Sequence, residues 1–319
     1  MLSIALAILA AVANATASVL QRKAARNERD SRSGLAMLWD LARQPVWIGG
    51  IAAVIVGFLL QAGALATGPV ALVQPILILE LGFTLLLAGV VFRSRLHRRE
   101  WVAVAGMSIG LALLLFALQP SGGDPLSASL AAWVAATVVT VALLGLLVGL
   151  AHRRRSAARA ALLGVATGIG FGFIAALVAA IAAAHAAHGI PGVITAWQTY
   201  VVIALGPLFF FLLQKALQAG RLVASQPALT ISNPIVAFGF GVAVFGEHVQ
   251  GGAWLALALL AAGLITVATV MLARSPLLHG ARGRSETPAG SRPAGSGSPD
   301  QSVPRRNPDE PAVAGGSGG

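Results

Sequence analysis

The sequence has no cysteine and few charged residues. The missing cysteine excludes disulfides, thiolate nucleophiles and cysteine-ligated metal sites. Only 10% of the 319 residues are charged and 57% are hydrophobic, whereas an average soluble domain is about 25% charged. The hydrophobic residues come in runs long enough to cross a bilayer, which takes about 20 apolar residues. The sequence therefore predicts an all-α polytopic membrane protein.

About nine hydrophobic stretches divide the chain. Each is long enough, or nearly so, to cross a hydrocarbon core of about 30 Å as a helix. Beyond residue 276 the chain is rich in Gly, Pro, Ser and Arg and has few large apolar residues, so we expect a disordered tail there. The predicted spans are 2–20, 46–66, 69–92, 101–118, 128–151, 160–184, 195–213, 222–245 and 252–273.

Lysine and arginine occur only in alternate loops between the predicted spans. All 22 fall after spans 1, 3, 5 and 7 or in the tail, and the even-numbered loops have none. The positive-inside rule makes this basic face cytoplasmic, so we expect the N-terminus outside and the C-terminus in the cytoplasm. The net charge of +11 then reflects loop orientation and contact with anionic lipid, and not a nucleic-acid partner. Abundant Arg, Ala and Gly are typical of a high-GC bacterial genome, so we expect the cell membrane, here the bacterial inner membrane.

The two halves of the chain share a weak sequence repeat. At an offset of 152 residues, Gln74-Pro75 falls on Gln226-Pro227. The repeat matches spans 1–4 with spans 6–9 and leaves span 5 between them. Because five spans separate equivalent helices, the halves should lie in the membrane with opposite orientation, as in many secondary transporters. The predicted parts are a first repeat (1–118), a linking helix and loop (119–159), a second repeat (160–273) and the tail (274–319).

The repeat sequences are similar to a known transporter superfamily. The stretch 57–117 resembles the second to fourth helices of the drug/metabolite transporters. The stretch 214–270, with VASQP at 223–227 and FGE at 245–247, resembles their second-half counterparts. The resemblance is strongest to the NIPA-like branch, implicated in magnesium transport, and extends more distantly to EamA-type exporters. It implies an alternating-access carrier in which spans 4 and 9 join the halves.

Glu80 is the acidic residue that lies deepest within a predicted span. At 1.5 Å per residue it lies roughly 18 Å from Gly68, near the bilayer centre. A charge there costs about 2.5 kcal/mol or more unless it is paired, hydrated or protonated. One interpretation makes Glu80 a cation ligand or a proton-coupling carboxylate. The other makes it a protonated side chain hydrogen-bonded to a neighbouring helix. Its counterpart in the second repeat is Ser232, so the halves are not chemically equivalent.

Polar side chains within the spans form two helical faces. Gln226, Thr230 and Asn233 are spaced i, i+4, i+7 in span 8, and span 1 has the same spacing. Polar faces are costly against lipid, so they should point inward. There they either bind solute or form interhelical hydrogen bonds of about 0.6 kcal/mol each. The candidate substrate-binding or coupling residues are Glu80, Gln74, Gln226, Thr230, Ser232, Asn233, Asn14, Ser18 and Gln61.

Three prolines lie within spans 3 and 8. Pro75, Pro227 and Pro234 each lack the N–H that would bond the carbonyl four residues earlier. A freed carbonyl in a membrane must find another partner or line a wet cavity. We predict a helix break or gate at these prolines. The alternative is a tolerated kink, since proline is common in membrane helices.

These features together predict a secondary transporter that moves a small solute by alternating access. If Glu80 is the charged ligand, the solute or coupling ion is a cation, such as magnesium, a proton-exchanged amine or a cationic metabolite. The spans contain no Ser–His pair, HExxH motif or paired carboxylates, so we expect no enzyme activity and no cofactor. The alternative is a non-transporting scaffold or regulator that acts through its basic tail. The expected partners are the solute and the bilayer. Whether the chain forms a homodimer is left open by the sequence.

Overall fold

The predicted hydrophobic stretches all fold as helices, because a backbone in hydrocarbon must satisfy its own hydrogen bonds. The computed structural model describes residues 1–27, 44–93, 96–154, 156–218 and 222–274. Within these residues, seven helices are long and apolar enough to cross a membrane, and Trp197–Leu213 and Pro227–Ala243 are shorter apolar helices. The helices are α1 (Leu2–Asn27), α2 (Pro45–Thr67), α3 (Val70–Leu77), α4 (Leu79–Val91), α5 (Arg98–Leu118), α6 (Leu130–His152), α7 (Ser156–Thr195), α8 (Trp197–Gln218), α9 (Leu222–Ala243) and α10 (Ala253–Ala273).

The outer surface of the bundle is apolar. Val138 and Val141 on α6 are 62% and 60% exposed, and Leu260 on α10 is 72% exposed. Large aliphatic side chains at this exposure suit contact with lipid tails rather than with water. The chain is therefore a membrane-embedded, mostly helical protein, as its composition predicts.

Predicted span 3 contains a tight turn near its middle. Helix α3 ends at Leu77 and α4 begins at Leu79. Ile78 between them keeps helical dihedral angles, with φ −59° and ψ −29°, so the two helices continue as one span of 22 residues, Val70–Val91. The Ile78 N–H donates to the Pro75 carbonyl three residues earlier, at 3.1 Å, which is the bond of a 3₁₀ turn rather than of a regular α-helix.

The corresponding helix of the second repeat, α9, has no such turn. Helix α9 runs through Pro227 and Pro234, so the prediction of a helix break at these two prolines is wrong. One missing hydrogen bond at each proline of a long helix packed among other helices is tolerated. The turn at Ile78 thus distinguishes the first repeat from the second.

The helix that contains predicted span 6 is longer than the hydrophobic stretch from which the span was predicted. We predict a loop from residue 185, whereas the helix continues to residue 188, and a kink at Gly189, with φ 64° and ψ −149°, joins it to a further helical segment that ends at Thr195. The alanine-rich segment 182–187 favours helix and extends it past the apolar stretch. His185 and His188 therefore lie on an exposed helical surface and not in a loop.

Two short strands add a small sheet to the helices. β1 (Ser121–Gly122) pairs antiparallel with β2 (Glu247–His248). The Asp124 N–H donates to the Phe245 carbonyl at 3.0 Å nearby. The sequence predicts only loops at these two places, because two-residue strands have no alternating pattern to detect.

Helix packing pairs the elements of the two predicted repeats in the same way. α1 packs against α2, α3 and α4, and α7 correspondingly packs against α8 and α9. Further pairs, among them α5 with α10, α3 with α9 and α2 with α7, join the two halves. The α5–α10 contact is close because a Cβ at Gly110 would lie 2.9 Å from Ile265 Cγ1. Small residues at such crossings let backbones approach. The predicted tail lies outside the described residues beyond Arg274.

Candidate solute cavity

A cavity of about 600 Å³ lies among the helices. Its walls come from α1, α2, α3, α4 and from α7, α8, α9, so both predicted repeats contribute. At one end it reaches Gln21 and Ala216, which lie within two residues of Lys23 and Lys215 in the chain. The lining residues are Asn14, Ser18, Gln21, Gln61, Gln74, Leu77, Ile78, Glu80, Leu81, Thr84, Phe171, Leu213, Ala216, Leu229, Thr230, Asn233 and Pro234.

Most of the polar residues singled out in the sequence lie around this one cavity. Asn14 and Ser18 come from α1, Gln61 from α2, and Thr230 from α9. The polar positions of α1 are spaced i, i+4, i+7, so they share one side of the helix. That side faces the cavity. The structure thus brings together side chains that lie more than 200 residues apart.

Glu80 sits beside Asn14 in the cavity wall. The Asn14 side chain is hydrogen-bonded to the Glu80 carboxyl, which satisfies part of its need for partners in a poorly hydrated site. Gly57 on α2 makes room for this pair. A Cβ at Gly57 would collide with Asn14 Oδ1 and would lie 3.0 Å from Asn14 Cγ. Three helices therefore combine to hold one carboxylate at the cavity.

Two further amides at the cavity carry atoms without partners. Gln74 Nε2 and Asn233 Oδ1 are buried and make no hydrogen bond. Such atoms are costly to leave unpaired, at about 1–3 kcal/mol each. Their helices α3 and α9 pack against each other, so two unsatisfied amides lie at the junction between the halves.

The structure leaves several candidates away from the cavity. The Ser232 hydroxyl donates to the Ala228 carbonyl at 2.7 Å, and a Cβ at Gly168 of α7 would lie 2.7 Å from Ser232 Cβ. Ser232 therefore packs against α7 and does not line the cavity. Pro75 and Pro227 are buried without lining it, whereas Pro234 does. The side chain of Gln226 lies outside the described residues.

Sequence reasoning missed some of the lining residues. Thr84 and Phe171 both line the cavity. Thr84 lies four residues after Glu80, so the helical period could have placed both on one face. Phe171 carries no polar signal and is recognised only from the fold.

The described lining of the cavity carries a single ionisable side chain. Among the described residues that line it, Glu80 is the one acidic group and none is Lys, Arg or His. No cluster of three or more His, Cys, Asp or Glu residues forms a metal site anywhere in the described part of the chain. The arrangement can hold one positive charge on Glu80 and offers amides and hydroxyls to a polar solute.

A second acidic residue has a structural function that the sequence does not indicate. Glu247 of β2 is only 5% exposed. Its Oε1 accepts the Val70 N–H at 2.6 Å and its Oε2 accepts the Ala71 N–H at 2.8 Å. Burial raises the pKa of the Glu247 carboxyl above its ordinary value, while the hydrogen bonds from Ala71 and Val70 act in the opposite direction. Glu247 thereby caps the first turn of α3, whose N–H groups lack helical partners.

Comparisons with known proteins place the chain among relatives. No protein-family model and no solved structure matches it. An uncharacterized protein of Corynebacterium glutamicum is 31% identical over 296 residues, which cover 92% of this chain and 98% of that protein. Identity at this level along nearly the whole of both chains shows common descent and a shared fold. The chain therefore belongs to the same protein family as this corynebacterial protein.

Proposed function

We propose that the protein is a secondary transporter that carries a small cationic solute across the membrane by alternating access. The observation that carries this proposal is the cavity of about 600 Å³, a volume typical of small-molecule sites. A polar cavity with one carboxylate in an apolar helical bundle is costly unless it is used. The absence of Lys, Arg and His from its described lining favours a cation over an anion.

The helix arrangement supports the alternating-access part of the proposal. We propose nine spans in two inverted repeats, with the basic loops and the C-terminus in the cytoplasm. The corresponding packing of α1 on α2 and of α7 on α8 favours such a repeat. Carriers of this design bind solute where the repeats meet, and the cavity is lined from both. The likeness to the drug/metabolite transporters belongs to the same proposal.

The first experiment identifies the solute. Purified protein is screened by thermal unfolding against magnesium and other divalent cations, organic amines and amino acids. A solute that binds the native state raises the melting temperature, by an amount equivalent to about 2.7 kcal/mol when present at 100 times its Kd. Magnesium and organic amines are the two main groups of ligands in the screen, because one carboxylate with amide oxygens can hold a hydrated metal or an ammonium group.

The second experiment tests the site. Transport of the identified solute is measured in proteoliposomes with Glu80→Gln, which keeps the shape and removes the charge. We expect transport to be abolished while the protein still folds. Glu100→Gln is the matched control, since Glu100 is also buried but accepts the His97 N–H at the start of α5. Full transport by Glu80→Gln would overturn the proposal. Loss of function on deletion of residues 276–319, with Glu80→Gln active, would favour a scaffold.

A further inference from the structure

Glu247 joins parts of the molecule that are far apart in sequence. Its two hydrogen-bond donors, Val70 and Ala71, precede it by 177 and 176 residues. The carboxylate fits into a narrow space. A Cβ at Gly241 of α9 or at Gly123 after β1 would collide with the Glu247 side chain. The position thus admits the carboxylate only because both neighbours are glycine.

Backbone pairing holds Glu247 in place. Gly122 of β1 pairs with Glu247, and Ser121 pairs with His248. The Gln250 N–H also donates to the Leu118 carbonyl at 2.9 Å. We call β1, β2 and the Glu247 carboxylate the latch. It fastens the connection between α5 and α6, the connection between α9 and α10, and the start of α3 to one another.

A second cavity lies on the latch side of α3. Its volume is about 550 Å³, and Glu247, Val70 and Asp124 are among its lining residues. The solute cavity meets the same helix further along, at Gln74 and Leu77. Between these contacts Ala71 and Val73 are fully buried. Val70 and Gln74 are four residues apart, about 6 Å along a helix, so one turn of α3 separates the two cavities.

Helix α3 is built as a separate short segment. It is eight residues long and is preceded by Gly68 and Pro69. At its other end the turn at Ile78 separates it from α4. A short helix with a 3₁₀ turn at one end and a loop at the other can move as a unit, and such element ends commonly act as hinges.

The geometry points to the latch as a gate: Glu247 holds α3 between the two cavities, and its release from Val70 and Ala71 connects the solute cavity with the latch side of the membrane. This inference rests on the proposed carrier function, because a gate is needed only if solute passes. In the structure the latch is closed, while the solute cavity extends toward Lys23 and Lys215. The structure is therefore the state that is closed on the latch side.

The test is side-specific labelling of a single cysteine. The chain has no cysteine of its own, so Leu77→Cys at the solute cavity is a unique reporter in proteoliposomes of defined orientation. A membrane-impermeant maleimide is added on the latch side, and the labelling rate is measured. We expect slow labelling in the otherwise unchanged protein and labelling faster by about tenfold or more with Glu247→Ala, because two hydrogen bonds to a charged group are lost.

A pair of glycine variants gives the matched comparison. Gly241→Ala should displace the Glu247 carboxylate and increase labelling, whereas Gly239→Ala, with open space around its Cβ, should leave it unchanged. Glu247→Gln, which keeps one oxygen acceptor, should give an intermediate rate and serves if Glu247→Ala fails to fold. Latch-side labelling as slow in Glu247→Ala and Gly241→Ala as in Gly239→Ala overturns the gate. Failure of all three latch variants to fold assigns Glu247 to folding and also overturns it.

This readout is independent of the carrier proposal. Labelling needs no solute, so a faster rate supports the gate even if Glu80→Gln transports normally. Conversely, a protein that transports in a Glu80-dependent manner and yet shows unchanged labelling retains its proposed function and loses the proposed gate.

Discussion

Gly57→Ala is expected to disturb the solute cavity through Asn14. Alanine within a helix is ordinarily more stable than glycine by about 0.5–1 kcal/mol. At Gly57, however, the added methyl would occupy the place of Asn14 Oδ1. The Asn14 side chain must then move away from Glu80.

The magnitude follows from what is lost. If Glu80 is ionised, as the proposed cation site requires, its hydrogen bond with Asn14 contributes about 1.5–3 kcal/mol, and forcing an extra methyl into a packed contact costs about 1–3 kcal/mol. After subtracting the gain in helix propensity, Gly57→Ala should destabilise the protein by about 1.5–5 kcal/mol. Gly63→Ala is the control on the same helix, because its Cβ would lie 3.5 Å from Leu6 Cδ1, an ordinary van der Waals contact. It should be neutral or stabilising.

A double-mutant cycle isolates the cause. Asn14→Ala removes the side chain that the methyl would strike, so Gly57→Ala should cost much less in that background. We expect a coupling of about 1.5 kcal/mol or more, well above the few tenths seen for independent sites. Thermal or denaturant unfolding of the purified variants measures it. Additive effects of the two substitutions, or a Gly57→Ala protein as stable as Gly63→Ala, would refute the reasoning.

Two other predictions concern packing and the site. Gly110→Ala should destabilise the α5–α10 contact by about 1–3 kcal/mol, because its Cβ would lie 2.9 Å from Ile265 Cγ1. Gly106→Ala should be tolerated at 3.7 Å from its nearest neighbour, and melting temperatures compare the two. Ser232→Ala should leave solute affinity unchanged, since its hydroxyl bonds a helix carbonyl, whereas Thr230→Ala should weaken binding. Equal losses of affinity in a binding assay would contradict this placement.

The sequence predicts the helices and much of the cavity because both depend on local patterns. Hydrophobic runs mark spans, and the i, i+4, i+7 spacing places Asn14 and Ser18 on one face of α1. Glu80 is conspicuous because a carboxylate within an apolar run is rare. These signals need no knowledge of which helices are neighbours.

Other features depend on contacts between distant segments. Ser232 has a polar side chain that could bind solute, and it lies in the same helix as Thr230 and Asn233. It nevertheless packs against Gly168 of α7, a neighbour that the sequence does not reveal.

In the sequence Glu247 resembles an ordinary glutamate in a loop. Only the fold shows that it accepts the N–H groups of Val70 and Ala71 at the start of α3. Span 3 has a tight turn at Ile78 and α9 has none, and this difference likewise depends on the surroundings, because each proline removes the same single donor.

A single carboxylate in the solute cavity also determines how a membrane voltage would act on the proposed transport cycle. With a monovalent cation on an ionised Glu80, the loaded cavity is electrically neutral, whereas the empty one carries one negative charge. Moving one charge through the full field changes the energy by about 2.3 kcal/mol per 100 mV. The empty protein's return, and not the step that carries the solute, is then the electrogenic half of the cycle.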